Sequence, residues 1–266
     1  MGSETKRIEG LDPAGMSRYF FDLFERLPRV GPGNIESTLK AYNMMAGIPE
    51  RPLLLDIGCG PGGQTLDLAR ATDARITAFD LHPPFVEKLR SALEREGFQD
   101  RVRAVQGDMF KLVEEYGEAS FDIVWSEGAL YFMGFENGFN ECFKVLRPGG
   151  YIAVSDGCWL EDGVPEEAQG FWGEGPDATG IPEHLQVIEK TGFEVVGHFT
   201  VPFEAWIAGF YGPMEKELDL LEKENASVSE AMDIYASMRK EIERIRKFHR
   251  WAGYEFFVAR KPGHAD

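Results

Sequence analysis

The residues with the clearest chemical potential in this sequence are two acids and a set of closely spaced glycines. Asp56 closes an apolar segment and is followed by glycines at every second position, Gly58, Gly60 and Gly62. Such glycines let the backbone turn sharply and let a ligand approach the main chain closely. Asp80 ends the next apolar segment about 20 residues downstream, where a carboxylate can accept hydrogen bonds from both hydroxyls of a ribose. The pattern indicates a site for a nucleoside-containing cofactor.

Several classes of nucleotide-binding protein share a glycine loop of this kind. Gly58, Gly60 and Gly63 also match the G-x-G-x-x-G spacing with which dinucleotide-binding folds approach a pyrophosphate. On this loop alone, an NAD-dependent oxidoreductase is as well supported as any other enzyme with a nucleoside cofactor. Motifs further along the chain are needed to separate these classes.

Three later motifs follow the glycine loop in a fixed order. They are Gly107-Asp108-Met109, the FDIV run at 121–124 and LRPGGYIAV starting at Leu146. Together with the loop, this ordered set resembles the class I S-adenosylmethionine-dependent methyltransferases over residues 52–153. Dinucleotide dehydrogenases do not usually carry the full set. The resemblance implies S-adenosylmethionine as cofactor, S-adenosylhomocysteine as its product and methyl transfer as the reaction.

The resemblance also implies a role for each matching residue. Asp56, the glycine loop and Gln64 would lie near the methionine part of the cofactor, and Asp80 would hold the ribose. Asp108 would meet the adenine together with the neighbouring backbone, and Ser126 would lie nearest the sulfonium. The complete predicted cofactor site is Asp56, Gly58, Cys59, Gly60, Gly62, Gln64, Asp80, Leu81, Asp108, Met109 and Ser126.

A closer resemblance is to a subgroup of bacterial small-molecule methyltransferases. Its members carry a GPG turn before the first strand, then W-S-E-G-A-x-Y and G-F-E-x-G-x-N-E. This chain has the turn at 31–33 and the other two motifs at 125–131 and 134–141. The added motifs inform the pocket but do not identify the acceptor or the atom that is methylated.

On the acceptor side, Glu127 is the leading candidate for a general base, because it follows the fourth strand next to the expected sulfonium. It could equally accept a hydrogen bond from an amine or cap the loop. Four aromatic residues are predicted to line the substrate pocket with it: Tyr131, Trp159, Phe171 and Trp172. Each could instead be core or lid packing. An acceptor that is already an anion would need no base.

Short apolar strands alternate with helices from Leu53 onward, which is typical of a parallel sheet covered on both faces. We predict a doubly wound, Rossmann-like, mostly parallel seven-stranded α/β sheet with an antiparallel last strand. The predicted strands are 53–57, 75–80, 101–106, 121–126, 151–156, 194–201 and 254–260. Predicted helices within this core are 85–96, 137–146 and 183–191, besides one that follows the glycine loop.

The whole chain, 1–266, is expected to form a single methyltransferase domain with two helical additions. Apolar residues at helical spacing predict two N-terminal helices, from 17 to Pro28 and from Asn34 to Gly47, which form a lid at 15–47. Similar spacing at 203–250 predicts a helical cap inserted between strands six and seven.

Composition limits the partners and the compartment. The net charge of −17 would repel a phosphate backbone, so nucleic acids and anionic membranes are not expected partners. Three cysteines without a C-x-x-C pair and the absence of a signal peptide or apolar span indicate the cytoplasm. The five histidines lack zinc-like spacing, so no metal is expected. We predict a monomer or a homodimer.

These features predict an enzyme that transfers a methyl group from S-adenosylmethionine to a small molecule by in-line displacement. Two alternatives stay open. One is the NAD-dependent oxidoreductase, which shares the loop and the ribose acid. The other is a non-catalytic cofactor-binding regulator on the same fold, since a fold does not establish chemistry.

Overall fold

A computed structural model describes residues 17–169 and 179–263 of the chain. Seven strands form one sheet in the order β3-β2-β1-β4-β5-β7-β6. Their bounds are β1 Leu53–Ile57, β2 Arg75–Asp80, β3 Val102–Gln106, β4 Phe121–Glu127, β5 Leu146–Trp159, β6 Glu194–Thr200 and β7 Ala252–Arg260. The sheet contains the number of strands predicted from the sequence.

The direction of the strands follows the prediction. Strands β1 to β5 pair in parallel, whereas β7 lies antiparallel between β5 and β6. The order reverses at β1, from which the chain builds toward β3 on one side and toward β4 on the other. Ligands of open α/β sheets bind outside the carboxyl ends of the strands at such a reversal. The glycine loop leaves β1 at this point.

Ten α-helices surround the sheet in the described part of the chain. They are α1 Arg18–Phe24, α2 Ile35–Tyr42, α3 Gly63–Ala71, α4 Pro83–Glu96, α5 Leu112–Tyr116, α6 Phe135–Val145, α7 Ile181–Lys190, α8 Phe203–Trp206, α9 Gly212–Glu224 and α10 Ser229–Phe248. Helices α8 to α10 lie in sequence between β6 and β7, at the position of the predicted cap.

The two N-terminal helices begin where the sequence predicts and end earlier. Ser17 caps α1 by accepting from the Tyr19 amide, and Asn34 caps α2 by accepting from the Ser37 amide. We predicted ends near Pro28 and Gly47, but the helices end at Phe24 and Tyr42. Between them the chain leaves helical geometry and crosses toward the glycine loop.

The apolar core divides between the two faces of the sheet. One cluster includes Leu54, Ile123 and Trp125 together with the N-terminal and cap helices. The other includes Leu55, Val124 and the inner face of α6. Successive strand residues thus alternate between two covered faces, which explains why the strands read as continuous apolar runs.

Strand β5 is the element that differs most from its prediction. We expected 151–156, whereas pairing extends from Leu146 to Trp159. The extra length comes from its partners: Leu146 pairs with Phe121, and Trp159 pairs with Ala252 of β7. Pairing with distant segments is not visible in the local sequence pattern.

Among the helices of residues 17–169 and 179–263, none combines the length and the apolar character that a membrane-spanning segment needs.

Candidate functional site

The glycine loop departs from β1 in a conformation that favours glycine. Gly58, Gly60 and Gly62 have φ values of 67°, 54° and 97°, in the left-handed region. A Cβ at Gly58 would lie 2.4 Å from the Cβ of Ala129, and one at Gly62 would lie 2.3 Å from Leu89 Cδ1. The loop is therefore packed so closely between α4 and the chain after β4 that side chains are excluded.

Asp80 lies at the carboxyl end of β2 and is tied to the glycine loop. The Gly60 amide donates to its Oδ2 at 2.9 Å, and the His82 amide donates to Oδ1 at 2.9 Å. Burial raises the pKa of this carboxyl group. Each oxygen carries one backbone donor and has further lone-pair capacity, which suits it to accept from neighbouring hydroxyls.

Asp56 lies beneath the loop and is fully buried. Thr65 Oγ1 donates to its Oδ2 at 2.5 Å, and Gln64 Nε2 donates to Oδ1 at 3.3 Å. Burial raises its pKa to about 7. Because both donors belong to the first turn of α3, Asp56 fixes the start of that helix, and Gln64 is the residue through which it would act on a cofactor.

The ends of β2 and β3 bring the predicted adenine residues to the same edge. The Gly107 amide donates to the Asp80 carbonyl at 3.1 Å. Asp108 Oδ1 accepts from the Phe110 amide at 3.1 Å and opens a single 3-10 turn. The Met109 methyl lies 3.8 Å from the Cβ position of Gly58. Leu81, which follows Asp80 directly, is 39% exposed.

A segment that precedes the sheet closes over the glycine loop. We call residues 25–33 the strap. Val30 Cγ2 lies 2.6 Å from the Cβ position of Gly60, and Arg29 Cβ lies 3.1 Å from that of Gly63. Lys88 on α4 donates to the Leu27 carbonyl at 2.7 Å. The strap is therefore in direct contact with the loop and is fastened to α4.

Glu127, at the end of β4, is the anchor of this strap. Arg29 Nη1 donates to its Oε2 at 2.6 Å, while Thr38 Oγ1 and Trp125 Nε1 donate to Oε1 at 2.8 and 2.9 Å. Arg29 also pairs with Asp67 at 2.9 Å. The Glu127 side chain is only 3% exposed. Three donors occupy most of the acceptor positions of a carboxylate, which favours an anchoring role. The role of general base stays a prediction.

The remaining predicted residues that fall within the described ranges lie at the same edge of the sheet. Ser126 is fully buried and donates to the Ile57 carbonyl at 3.1 Å, so it ties β4 to β1. Tyr131 lies in a 3-10 turn after β4, and Trp159 ends β5. Phe171 and Trp172 lie outside the described residues. Cys59 is buried, and its amide donates to the Phe79 carbonyl at 2.9 Å.

Sequence reasoning missed Arg29, Thr38 and Asp67, which complete the buried network around Glu127. Arg29 is only 7% exposed, and a buried arginine is nearly always paired with an acid. Its place beside the GPG turn, as the one charged residue of the run LPRVGPG, was a signal. Within the described ranges, no group of three or more His, Cys, Asp or Glu side chains could hold a metal ion.

Comparison with known proteins finds a family match for the central part of the chain. Residues 54–150 match the family described as a methyltransferase domain. Among curated relatives, the sterol 24-C-methyltransferase of Kluyveromyces lactis is 31% identical over 160 residues, which cover 57% of this chain and 43% of that protein. The chain thus spans less than half of that relative.

Solved structures extend the likeness to most of the chain. An S-adenosylmethionine-dependent methyltransferase from Geobacter sulfurreducens, in complex with S-adenosyl-L-homocysteine, aligns with a TM-score of 0.78 at 21% identity and covers 92% of this chain and 98% of that one. The [4+2]-cyclase SpnF aligns with a TM-score of 0.70 at 21% identity, with 86% and 81% covered. At this identity the likeness describes the fold. The family match therefore covers residues 54–150, and the solved structures show that the same fold extends over most of the chain.

Proposed function

We propose that this protein transfers a methyl group from S-adenosylmethionine to a small-molecule acceptor. The observation that carries the proposal is the joining of the glycine loop to Asp80 through the Gly60 amide. The loop brings backbone against a ligand, and Asp80 offers lone pairs to a ribose. The sheet order, with β7 antiparallel between β5 and β6, also differs from the all-parallel dinucleotide fold of an oxidoreductase.

Each cofactor residue takes a part in this proposal. Asp80 binds the ribose hydroxyls, Asp108 and the Met109 backbone bind the adenine, and Leu81 covers one face of its ring. Gln64, oriented by Asp56, binds the methionine end. These assignments are consistent with the close approach of β1, β2 and β3 at one edge of the sheet.

The chemistry asked of the protein is modest. The bound sulfonium supplies a methyl group that is already activated for displacement. The chain has to align the acceptor with it and exclude water, and the strap serves the second purpose by lying over the loop. Glu127, if it acts as a base, would contribute about 10² to 10⁴-fold to the rate. Otherwise it holds the strap.

The test has two parts. Calorimetric titration with S-adenosylmethionine and with NADH should give binding of the first compound only. Mass spectrometry should then detect S-adenosylhomocysteine released when a metabolite extract is added. Binding of NADH alone would indicate the oxidoreductase, and cofactor binding without release from any acceptor would indicate a regulator.

The finer parts of the proposal concern the setting of the reaction. We propose that the protein acts in the cytoplasm, as a monomer or a homodimer, and belongs to the bacterial small-molecule subgroup. Its sequence motifs at 125–131 and 134–141 support that subgroup. Its acidity, with a net charge of −17, supports a small-molecule acceptor over a nucleic acid.

A further inference from the structure

The cap, which comprises α8 to α10, touches the strap at a point where two backbones meet. Between α8 and α9 the helix contains one π-helical turn, Ile207–Tyr211. A Cβ on Gly209, in the middle of this turn, would lie 2.5 Å from the carbonyl oxygen of Gly33, the last residue of the strap. Ordinary van der Waals contacts of a Cβ begin at 3.4 Å. Position 209 therefore admits no side chain unless one of the two backbones shifts.

A second glycine allows the π-helical turn itself. Gly212, the first residue of α9, would with a Cβ lie 2.6 Å from the carbonyl oxygen of Ile207, the first residue of the turn. A π-helical turn inserts one extra residue into a helix, and such turns are frequent at functional sites. Gly212 thus permits the wide turn, and Gly209 permits the contact of that turn with the strap.

Gly33 is also packed against the ion pair that anchors the strap. A Cβ on Gly33 would lie 2.9 Å from Arg29 Nη1 and 2.9 Å from Glu127 Oε2. These are the two atoms that the buried pair joins at 2.6 Å. One residue of the strap, Gly33, is therefore in close contact both with the cap and with the pair that ties the strap to β4.

The same short segment reaches the glycine loop. Val30 and Arg29 contact the Cβ positions of Gly60 and Gly63, as described above. Direct contacts thus run from the π-helical turn of the cap through Gly33 and the strap to the loop. A cofactor that enters or leaves between the strap and the loop has to displace the segment that the cap touches.

A second contact between the cap and the strap lies at the surface. Arg26 Nη2 pairs with Glu224 Oε2 of α9 at 2.8 Å, and the two side chains are 36% and 53% exposed. Exposed ion pairs contribute little, because water screens the charges and long side chains can rotate away. The contact at Gly209 joins backbone to backbone and contains no side chain that could rotate. A displacement of the cap is therefore transmitted to the strap at Gly209.

We propose that Gly209 is a positioning residue for cofactor retention, and that the cap and the strap close over the cofactor as one unit. The inference rests on the proposed function, because it requires S-adenosylmethionine at the glycine loop. With the cap in place, Gly209 holds Gly33 against the pair of Arg29 and Glu127, and the strap stays on Gly60. Displacement of the cap releases the strap for the exchange of product for cofactor. Because coupling between two sites is reciprocal, a cofactor bound beneath the strap also stabilises the π-helical turn.

The experiment times cofactor release from variants of the full-length protein. Radiolabelled S-adenosylmethionine is bound and then chased with excess S-adenosylhomocysteine, well below the thermal transition of each variant. Gly209→Ala pushes Gly33 away and should speed release about tenfold, as expected of a coupling between sites. Gly31→Ala is the control in the strap, because no described atom lies within 4 Å of a Cβ there. Tyr211→Phe is the control in the cap, where it removes the hydroxyl that donates to Glu241 at 2.8 Å. Both controls should release the cofactor as the wild type does.

Two results would overturn the proposal. One is an unchanged release rate in folded Gly209→Ala. The other is an equal acceleration in Tyr211→Phe, which would make the stability of the cap, and not its contact with Gly33, the cause. If Gly209→Ala does not fold, hydrogen exchange of the wild type decides. S-adenosylhomocysteine should slow exchange at 207–211 more than at 236–240 of α10, and equal slowing overturns the coupling. Failure to bind either compound would count against the proposed function instead.

Discussion

At the scale of single residues, carboxylates with different surroundings perform different tasks. Among the described residues, Asp80 accepts from backbone amides, Asp56 accepts from side chains of α3, and Glu127 accepts from three different segments. All three end or adjoin parallel strands at the same edge of the sheet. Their partners, more than their positions in sequence, determine which one can still bind a ligand.

The ribose assignment makes the first prediction. Asp80→Ala should lower the affinity for S-adenosylmethionine by about tenfold or more, because two hydrogen bonds to a carboxylate contribute about 1.5–3 kcal/mol each. Calorimetric titration measures the change, and a cooperative thermal transition shows that the fold is intact. Asp73→Ala, at the opposite end of β2, should bind as the wild type does. Unchanged affinity in Asp80→Ala would remove the assignment.

The raised pKa of Asp56 predicts that the stability of the protein depends on pH. Its pKa is raised from 3.8 to about 7 in the folded state. Between pH 4 and 7 the folded state therefore binds more protons than the unfolded state, and this stabilisation is lost as pH rises through that window. The variant Asp56→Asn cannot ionise at this position, so its stability does not fall for this reason as pH rises. The free energy of unfolding of the wild type relative to Asp56→Asn should fall by a few kcal/mol from pH 4 to pH 7.

Denaturant titrations at several pH values measure this difference. Subtraction of the two proteins removes the contribution of the other acids, which are shared. A difference that stays constant from pH 4 to 7 would mean that Asp56 keeps an ordinary pKa and that burial does not penalise its charge.

At the scale of elements, the loop and the strap depend on close contact. Gly58 and Gly97 have similar φ values of 67° and 75°, but only Gly58 has a neighbour within 4 Å of its Cβ position. Gly97→Ala should cost about 1–2 kcal/mol for the left-handed backbone alone. Gly58→Ala should cost about 1–3 kcal/mol more, because it adds a clash with Ala129. Chemical denaturation measures both, and equal costs would show that the packing can yield.

The strap provides a second test at this scale. Arg29→Met leaves Glu127 buried without its ionic partner and should destabilise the protein by about 3–5 kcal/mol. Arg26→Met, which breaks an exposed pair with Glu224, is the control and should cost at most about 1 kcal/mol. Adding Glu127→Gln to Arg29→Met should restore part of the loss. If the destabilisation of the double variant equalled the sum of those of the two single variants, a direct pairing of Arg29 with Glu127 would be contradicted.

The variant Glu127→Gln also separates its two possible roles. If Glu127 anchors the strap, Glu127→Gln should weaken cofactor binding while the pH profile of turnover stays unchanged. If it removes a proton, the variant should lose about 10²-fold or more in turnover and also lose the acidic limb of the profile. The profile, measured with any acceptor found active, distinguishes the two.

At the scale of the whole molecule, a ligand of the folded state should stabilise the entire chain. At one hundred times its dissociation constant, S-adenosylhomocysteine should add about 2.7 kcal/mol, and raise the Tm by roughly 5 °C or more. Differential scanning calorimetry measures the shift. Hydrogen exchange should slow most at residues 25–33 and 58–62. Protection confined to the cap would contradict binding at the glycine loop.

How much of this molecule is predictable from sequence differs by part. Strands β1 and β2 follow from local pattern to the residue, because an apolar run between turn residues is a local property. The spacing of Asp80 after the glycine loop and the motif that contains Asp108 also predicted that these two acids follow neighbouring strands. The pairing of Arg29 with Glu127 was not predictable, since it joins segments 98 residues apart that meet only in the folded chain.

The position of the strap in the sequence has a consequence for any transfer of the matched stretch to another protein. Residues 25–33 and α8 to α10 fall outside 54–150, the stretch that matches the methyltransferase family. A graft of 54–150 onto another scaffold would transfer the glycine loop and Asp80 without Arg29, the residue that ties the strap to Glu127. The grafted loop would then lack its cover, so the matched stretch alone does not encode the closed arrangement seen in this chain.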